Sequence, residues 1–268
     1  MTKKLFDKYR YSAILLRELV ITDFKLRYQG SALGYLWSLL RPLFLFVILY
    51  VVFVYFLKIG GDIPHWPVAM LLGIVMWNFF AEVTNQGLKS VVGSGGIIRK
   101  INFPKYVILF ATSLSAFINL IINLLVVGVF MLINGVEFSW TMLYAPVFIL
   151  EIFIFGLGLA FILSTIYVKF RDVNYIWEIV MQALFYGSAV LFPVVKVLEM
   201  NATAGHVLLL NPAAQAIQDA REAVIPALSA GVSSSIFMTL VPLGISIVTI
   251  VFGAWLFKKR SPRFAEDI

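Results

Sequence analysis

Six long apolar stretches, separated by short breaks that carry charge, glycine or proline, constrain this chain more than any other feature of its sequence. They cover roughly 33–57, 68–88, 106–133, 142–167, 175–195 and 235–257. About 20 apolar residues suffice for a helix to cross the hydrocarbon layer, and in lipid only helices and closed barrels satisfy their own backbone. Composition agrees. Of 268 residues, 61% are hydrophobic and 13% charged, and mean hydropathy is +0.95. Soluble domains hold about 45–50% apolar and about 25% charged residues. The expected fold is all-α and integral to the membrane. It is a single domain of six transmembrane helices, with an amphipathic interface helix before them and short outer amphipathic helices.

The basic residues predict an orientation. Seventeen of the 21 Lys and Arg fall before residue 31, within 89–105, within 168–174 or after 257. Lys58, Lys196 and Arg221 fall on the other side, and Arg41 lies inside the first span. The positive-inside rule then places both termini in the cytosol. The net charge of +7 reflects that topology, so no nucleic-acid partner is expected.

Three segments are neither spans nor simple loops. Residues 11–30 carry Leu15, Leu19 and Leu26 on one stripe, while Arg17, Glu18, Asp23, Lys25 and Arg27 forbid spanning. This reads as a helix at the inner interface, with a solvated cytosolic helix as the alternative. Residues 89–105 hold Gly93, Gly95 and Gly96, which interrupt a helix, and Pro104, which restarts one. Between them Ile97, Ile98 and Ile101 sit beside Arg99 and Lys100. Two short turns there present an apolar face either to a protein partner or to the membrane surface. Residues 196–234 exceed an ordinary connector. Within them Asn211 suits an N-cap and Pro212 a first helical position. Ala213, Ala216, Ile217, Ala220 and Val224 then recur opposite Gln215, Gln218, Asp219 and Glu222, the pattern of an amphipathic helix at the outer interface.

Catalytic signatures are absent. There is no G-x-S-x-G, no H-E-x-x-H and no P-loop, and no cysteine to bind metal. Neither a catalytic nor a metal site is expected, and no cofactor on this chain. Ionisable residues within spans mark function by default. Here they are Glu82, Glu151, Glu178 and Arg41, and Arg41 is placed either to pair with Glu82 or to snorkel. Trp37, Tyr50, Trp77, Phe79 and Phe80, with Glu82 and Glu151, are the candidates to line a passage. Lipid-facing and interfacial positions are the ordinary alternative for the rings.

Several local patterns resemble the membrane subunit of type-2 ABC exporters for polysaccharides such as O-antigen, capsule and teichoic acid. Arg27-Tyr28-Gln29-Gly30-Ser31, then Gly34, Trp37 and Pro42, are similar to that family's approach to its first span. Ile98 to Pro104, including Phe103, resembles its cytosolic coupling loop. Arg171-Asp172 resembles its inner turn, Asn211-Pro212 and Arg221 its outer gate, and Pro262 to Glu266 its tail. The resemblance implies a homodimer bound to two copies of a nucleotide-binding ATPase, with ATP and Mg on that partner. It also implies export of a lipid-linked polysaccharide along the dimer axis. An ion-coupled secondary transporter would show broken helices in repeated halves, and an intramembrane glycan-processing enzyme a catalytic constellation. Neither pattern is visible.

Overall fold

The structure, a computed structural model, describes residues 13–23, 25, 33–60, 63–101, 103–228 and 236–268. In chain order the helices are α1 (13–23), α2 (Trp37–Leu49), α3 (Trp66–Gly93), α4 (Gly95–Lys100), α5 (Tyr106–Ile133) and α6 (Ala145–Lys169). There follow α7 (Val173–Gly187), α8 (Val194–Met200), α9 (Ala202–Leu209), α10 (Pro212–Val224), α11 (Ile236–Arg260) and α12 (Phe264–Asp267). No strand occurs among the described residues, so the fold is all-α as expected.

Among the described residues, five segments are long and apolar enough to cross a membrane: Trp37–Phe56, Trp66–Gly93, Tyr106–Ile133, Trp140–Lys169 and Met238–Asp267. The third matches the expected bounds to the residue. The first begins after a tight turn at Gly34, whose φ is +49°, and leaves α-geometry for a π-helical stretch over Tyr50–Phe56. At the centre stands α3, buried along most of its length against α2, α5, α6, α7 and α10.

Lipid tails are as apolar as leucine, so membrane helices associate by close packing rather than by the hydrophobic effect. Glycines supply that closeness. A Cβ on Gly253 of α11 would lie 2.4 Å from the carbonyl oxygen of Gly158 on α6, and one on Gly87 of α3 would lie 2.4 Å from the Cβ of Ala160. Backbone meets backbone at the first contact and backbone meets methyl at the second.

The expected fifth span is corrected in one respect: no membrane-length helix is described there. The main helix there, α7, is 15 residues long, which is roughly 22 Å against a hydrocarbon layer of about 30 Å. The chain then turns through 188–193, with Ala189 in the left-handed region at φ +51°, before Pro193 leads into α8. The apolar run 175–195 continues across this break because Ala189, Val190 and Leu191 are buried in protein, not in lipid. Hydropathy reports the surroundings of side chains and is blind to whether the backbone stays helical.

The outer amphipathic helix is corrected too. Twelve of the thirteen residues of α10 are buried, among them Gln215, Gln218, Asp219 and Arg221. It lies in the interior against α3 and α6. Its polar side finds partners inside the protein, which pattern reasoning had assigned to water. The short helices α8 and α9 pack on each other where Gly205 meets Leu198 and keep exposed faces, as at Met200 and Val207.

At the end rich in Lys and Arg, a separate apolar cluster joins Val91, Ile98, Phe103, Val107, Phe161, Phe257 and Phe264. Leu15, Leu16 and Leu19 of α1 pack against it. The apolar stripe of α1 is thus used at least partly on the protein itself; Leu26 lies outside the described residues.

Candidate functional site

The sequence of α10 begins with the cap it calls for: the Asn211 side chain accepts from the Ala213 N–H, and Pro212 occupies the first turn. Nδ2 of Asn211 donates to Ser188 Oγ at 2.9 Å, tying α10 to the break after α7. Three turns further on, Arg221 is 1% exposed. Its Nε donates to Ala69 O at 2.8 Å, Nη1 to Ala189 O at 2.8 Å and Nη2 to Val190 O at 2.6 Å. The guanidinium also stacks over Trp66, 5.2 Å from the ring centroid. Non-helical backbone inside a membrane protein must have its polar groups satisfied by protein, and Arg221 does this for the turn. The expected outer-gate residues are therefore together, but as an internal clamp.

On the same helix Gln215 Nε2 donates to Asp219 Oδ1 at 2.8 Å. Asp219 lies within electrostatic reach of Glu151 on α6, which is 5% exposed. Beside them a cavity of about 310 Å³ is lined by Thr141, Tyr144, Phe148, Glu222 and Thr239. Glu151 is thus separate from Glu82.

Glu82 belongs to a larger cavity of about 530 Å³ between α2, α3 and α5, where polar side chains stand among Val75, Phe79 and Leu120. From α3 come Asn78, Glu82, Asn85 and Gln86, at i, i+4, i+7 and i+8. Asn119 and Asn123 come from α5, and Trp37, Ser38 and Arg41 from α2. Glu82 Oε2 accepts from Asn119 Nδ2 at 2.8 Å, and Oε1 from Gln86 Nε2 at 3.2 Å. The Oδ1 of Asn119 is buried without a hydrogen-bond partner. Arg41 shares the cavity with Glu82, yet no salt bridge joins them among the described residues. The carboxamides escaped sequence reasoning, which counted only ionisable groups. Their helical spacing was the signal that marks them.

The aromatic candidates divide. Trp37 is exposed at this cavity, and Tyr50 is half-buried beside Phe46. Phe79 borders the cavity around Glu82, while Trp77 and Phe80 line neither of the two cavities. Trp77, Phe79 and Phe80 are 5%, 2% and 0% exposed, with Phe80 stacked on Phe155 and Phe79 on Phe153. At that depth α3 is packed by protein except on the side of Asn78 and Glu82, where the cavity opens.

The coupling segment also departs from expectation. Its helical part is α4, with Gly95 and Gly96 inside it. Ile98 and Phe103 are buried in the basic-end cluster, Ile97 and Pro104 are half-buried, and Ile101, Arg99 and Lys100 are exposed. The expected apolar face is satisfied internally except at Ile101. The tail closes over it: Lys105 Nζ donates to Ser261 O and sits 5.9 Å from the Phe264 ring centroid. Burial depresses the Lys105 amine below the ordinary lysine range, opposed by Glu266.

Arg171 and Asp172 lie exposed at the turn into α7, with Arg171 over the Tyr167 ring at 5.1 Å. Arg27, Tyr28, Gly30 and Ser31 lie outside the described residues. One face of α7 has no cover among the described residues: Tyr175, Glu178, Ile179, Gln182 and Tyr186 are all exposed. Among the described residues no group of three or more His, Cys, Asp or Glu is placed to hold a metal.

Residues 14–225 match the family model described as "ABC-2 type transporter". The chain is 27% identical over 264 residues to an O-antigen export system permease protein RfbA of Klebsiella pneumoniae, covering 97% of this chain and 98% of that one. It is 26% identical to the RfbA protein of Myxococcus xanthus over the full length of both. It is 24% identical to the polysialic acid transport protein KpsM of Escherichia coli, over 95% of this chain and 94% of that one.

Proposed function

The chain belongs to the ABC-2 type transporter family, and from that premise we propose that it is the membrane permease of an ATP-driven exporter of lipid-linked polysaccharide. The observation that carries this reading is end-to-end likeness to permeases named for O-antigen export, joined to several membrane-length helices. The chain has no P-loop, so ATP and Mg belong to a separate nucleotide-binding subunit. The permease sits in the cytoplasmic membrane with both termini in the cytosol.

The permease works as a homodimer with two ATPase copies. The uncovered face of α7 supports this, because Glu178 and Gln182 between tyrosines suit a second protomer or a watery passage better than lipid. The exposed surface around Ile101, Arg99 and Lys100 is where the ATPase engages. Between two such protomers a flexible polymer passes without a tight polar site.

Removing the gene and following surface and internal glycan tests the proposal. Lipid-linked polymer is expected to accumulate inside the cell. It should return to the surface only when this chain and a hydrolysis-competent ATPase are both restored. Surface glycan unchanged by the deletion would refute export as the function.

A further inference from the structure

We propose that the cavity between α2, α3 and α5 binds the hydroxylated headgroup of a phosphate-bearing lipid. The headgroup is either the first sugar of the exported glycolipid or the polyol of a bilayer lipid. The first source rests on the export reading above, while the pocket itself does not.

The chemistry of the walls selects the ligand class. An apolar molecule would strand the carboxamides of Asn78 and Asn85 against hydrocarbon, which is costly. A bare anion would meet the Glu82 carboxylate. Hydroxyl groups both donate and accept, and carboxamides do the same. The volume of about 530 Å³ falls within the range of roughly 300–1,000 Å³ typical of small-molecule sites.

The rim supplies the rest. Trp37 and Arg41 are both exposed and lie one turn apart at the start of α2. The indole offers a flat apolar surface to the C–H face of a ring. Arg41, which holds no hydrogen bond among the described residues, offers a fork of donors to a phosphate. Gln86 and Asn78 lie roughly 10 and 22 Å along α3 from its basic end. A headgroup entering from that side therefore reaches the carboxamides while its phosphate stays at the rim.

Asn78 and Asn85 form no hydrogen bond with other described residues, so the double variant N78A/N85A should keep the fold, checked by its melting temperature. The full 268-residue chain is purified in detergent. It is titrated with a polyisoprenyl-phosphate-linked monosaccharide, the same lipid phosphate without sugar, phosphatidylglycerol and phosphatidylethanolamine, and bound lipid is read by native mass spectrometry. Retention of a hydroxylated headgroup is expected to fall at least tenfold in N78A/N85A and in R41A. Preference for the sugar lipid identifies the cargo, and preference for phosphatidylglycerol identifies a bilayer lipid. Equal retention by wild type and variants, or sugar-free phosphate bound as tightly as the hydroxylated lipids, overturns the proposal. Glycan export that depends on the chain but survives N78A/N85A with binding intact rejects the pocket alone. Pocket binding in a chain whose deletion leaves export untouched rejects the export reading alone.

Discussion

Gly73 and Arg221 share one space: a Cβ on Gly73 would lie 2.1 Å from Nη2 of Arg221. The glycine on α3 is the opening through which a guanidinium from α10 reaches the carbonyls of Ala69, Ala189 and Val190. Two elements far apart in sequence are locked by one side chain that has no slack.

Alanine at Gly73 is therefore expected to evict Arg221 and unfasten the turn at 188–193. Direct truncation, Arg221→Ala, leaves three carbonyls without that donor, at about 1–3 kcal/mol for each group left unsatisfied. Both variants should melt well below wild type in detergent and expose 188–193 to protease. A melting temperature within a degree or two of wild type would show the clamp to be dispensable.

At the closest contact of α6 and α11, Gly253→Val should force the helices apart, since even a Cβ meets Gly158 O at 2.4 Å. Overpacking of this kind costs about 1–3 kcal/mol or more. Gly128 on α5, where nothing lies within 4 Å, serves as the control. Gly128→Ala should melt like wild type, and equal losses at both positions would deny the contact its special role.

On the basic face, Ile98→Asp and Ile101→Asp should separate cleanly. Ile98 is 6% exposed within its cluster and Ile101 is 43% exposed. The first should lower the melting temperature, because a carboxylate enters an apolar core. The second should leave stability unchanged and weaken co-purification of the ATPase several-fold. Undiminished co-purification of the Ile101 variant would move the docking surface elsewhere.

Since the chain has no cysteine, a single Gln182→Cys gives an unambiguous report on the open face of α7. Oxidation in membranes is expected to yield a disulfide-linked dimer, while Leu125→Cys, on an exposed part of α5, should remain monomeric. The reverse pattern would place the symmetry axis along α5.

How much of this could be read from sequence differs by element. The bounds of α5 were legible to the residue because a helix surrounded mainly by lipid and partly by protein obeys hydropathy alone. The break at Ser188 was not, since Val190 and Leu191 look the same whether lipid or protein surrounds them. For α10 the cap at Asn211 and the helical period were legible, but the location was not. Polar residues opposite an apolar stripe normally mean water, and here Gln215, Asp219 and Arg221 meet one another or backbone carbonyls instead. Ile98 repeats the lesson in reverse: an apolar residue in a short basic loop suggested a partner, and its own chain provides one. The six-membered carboxamide and carboxylate set around Glu82 was written openly in helical spacing on α3 and α5, though only three helices brought together make it a cavity.

The tail reaches back to α4, since a Cβ on Gly95 would meet the side chain of Ile268 at 2.6 Å, and Phe264 is buried nearby. Anything appended after Ile268 is consequently mounted beside Arg99, Lys100 and Ile101. An affinity handle placed there would shade the surface meant to be measured, and a fluorophore placed there would be well seated to sense an arriving subunit.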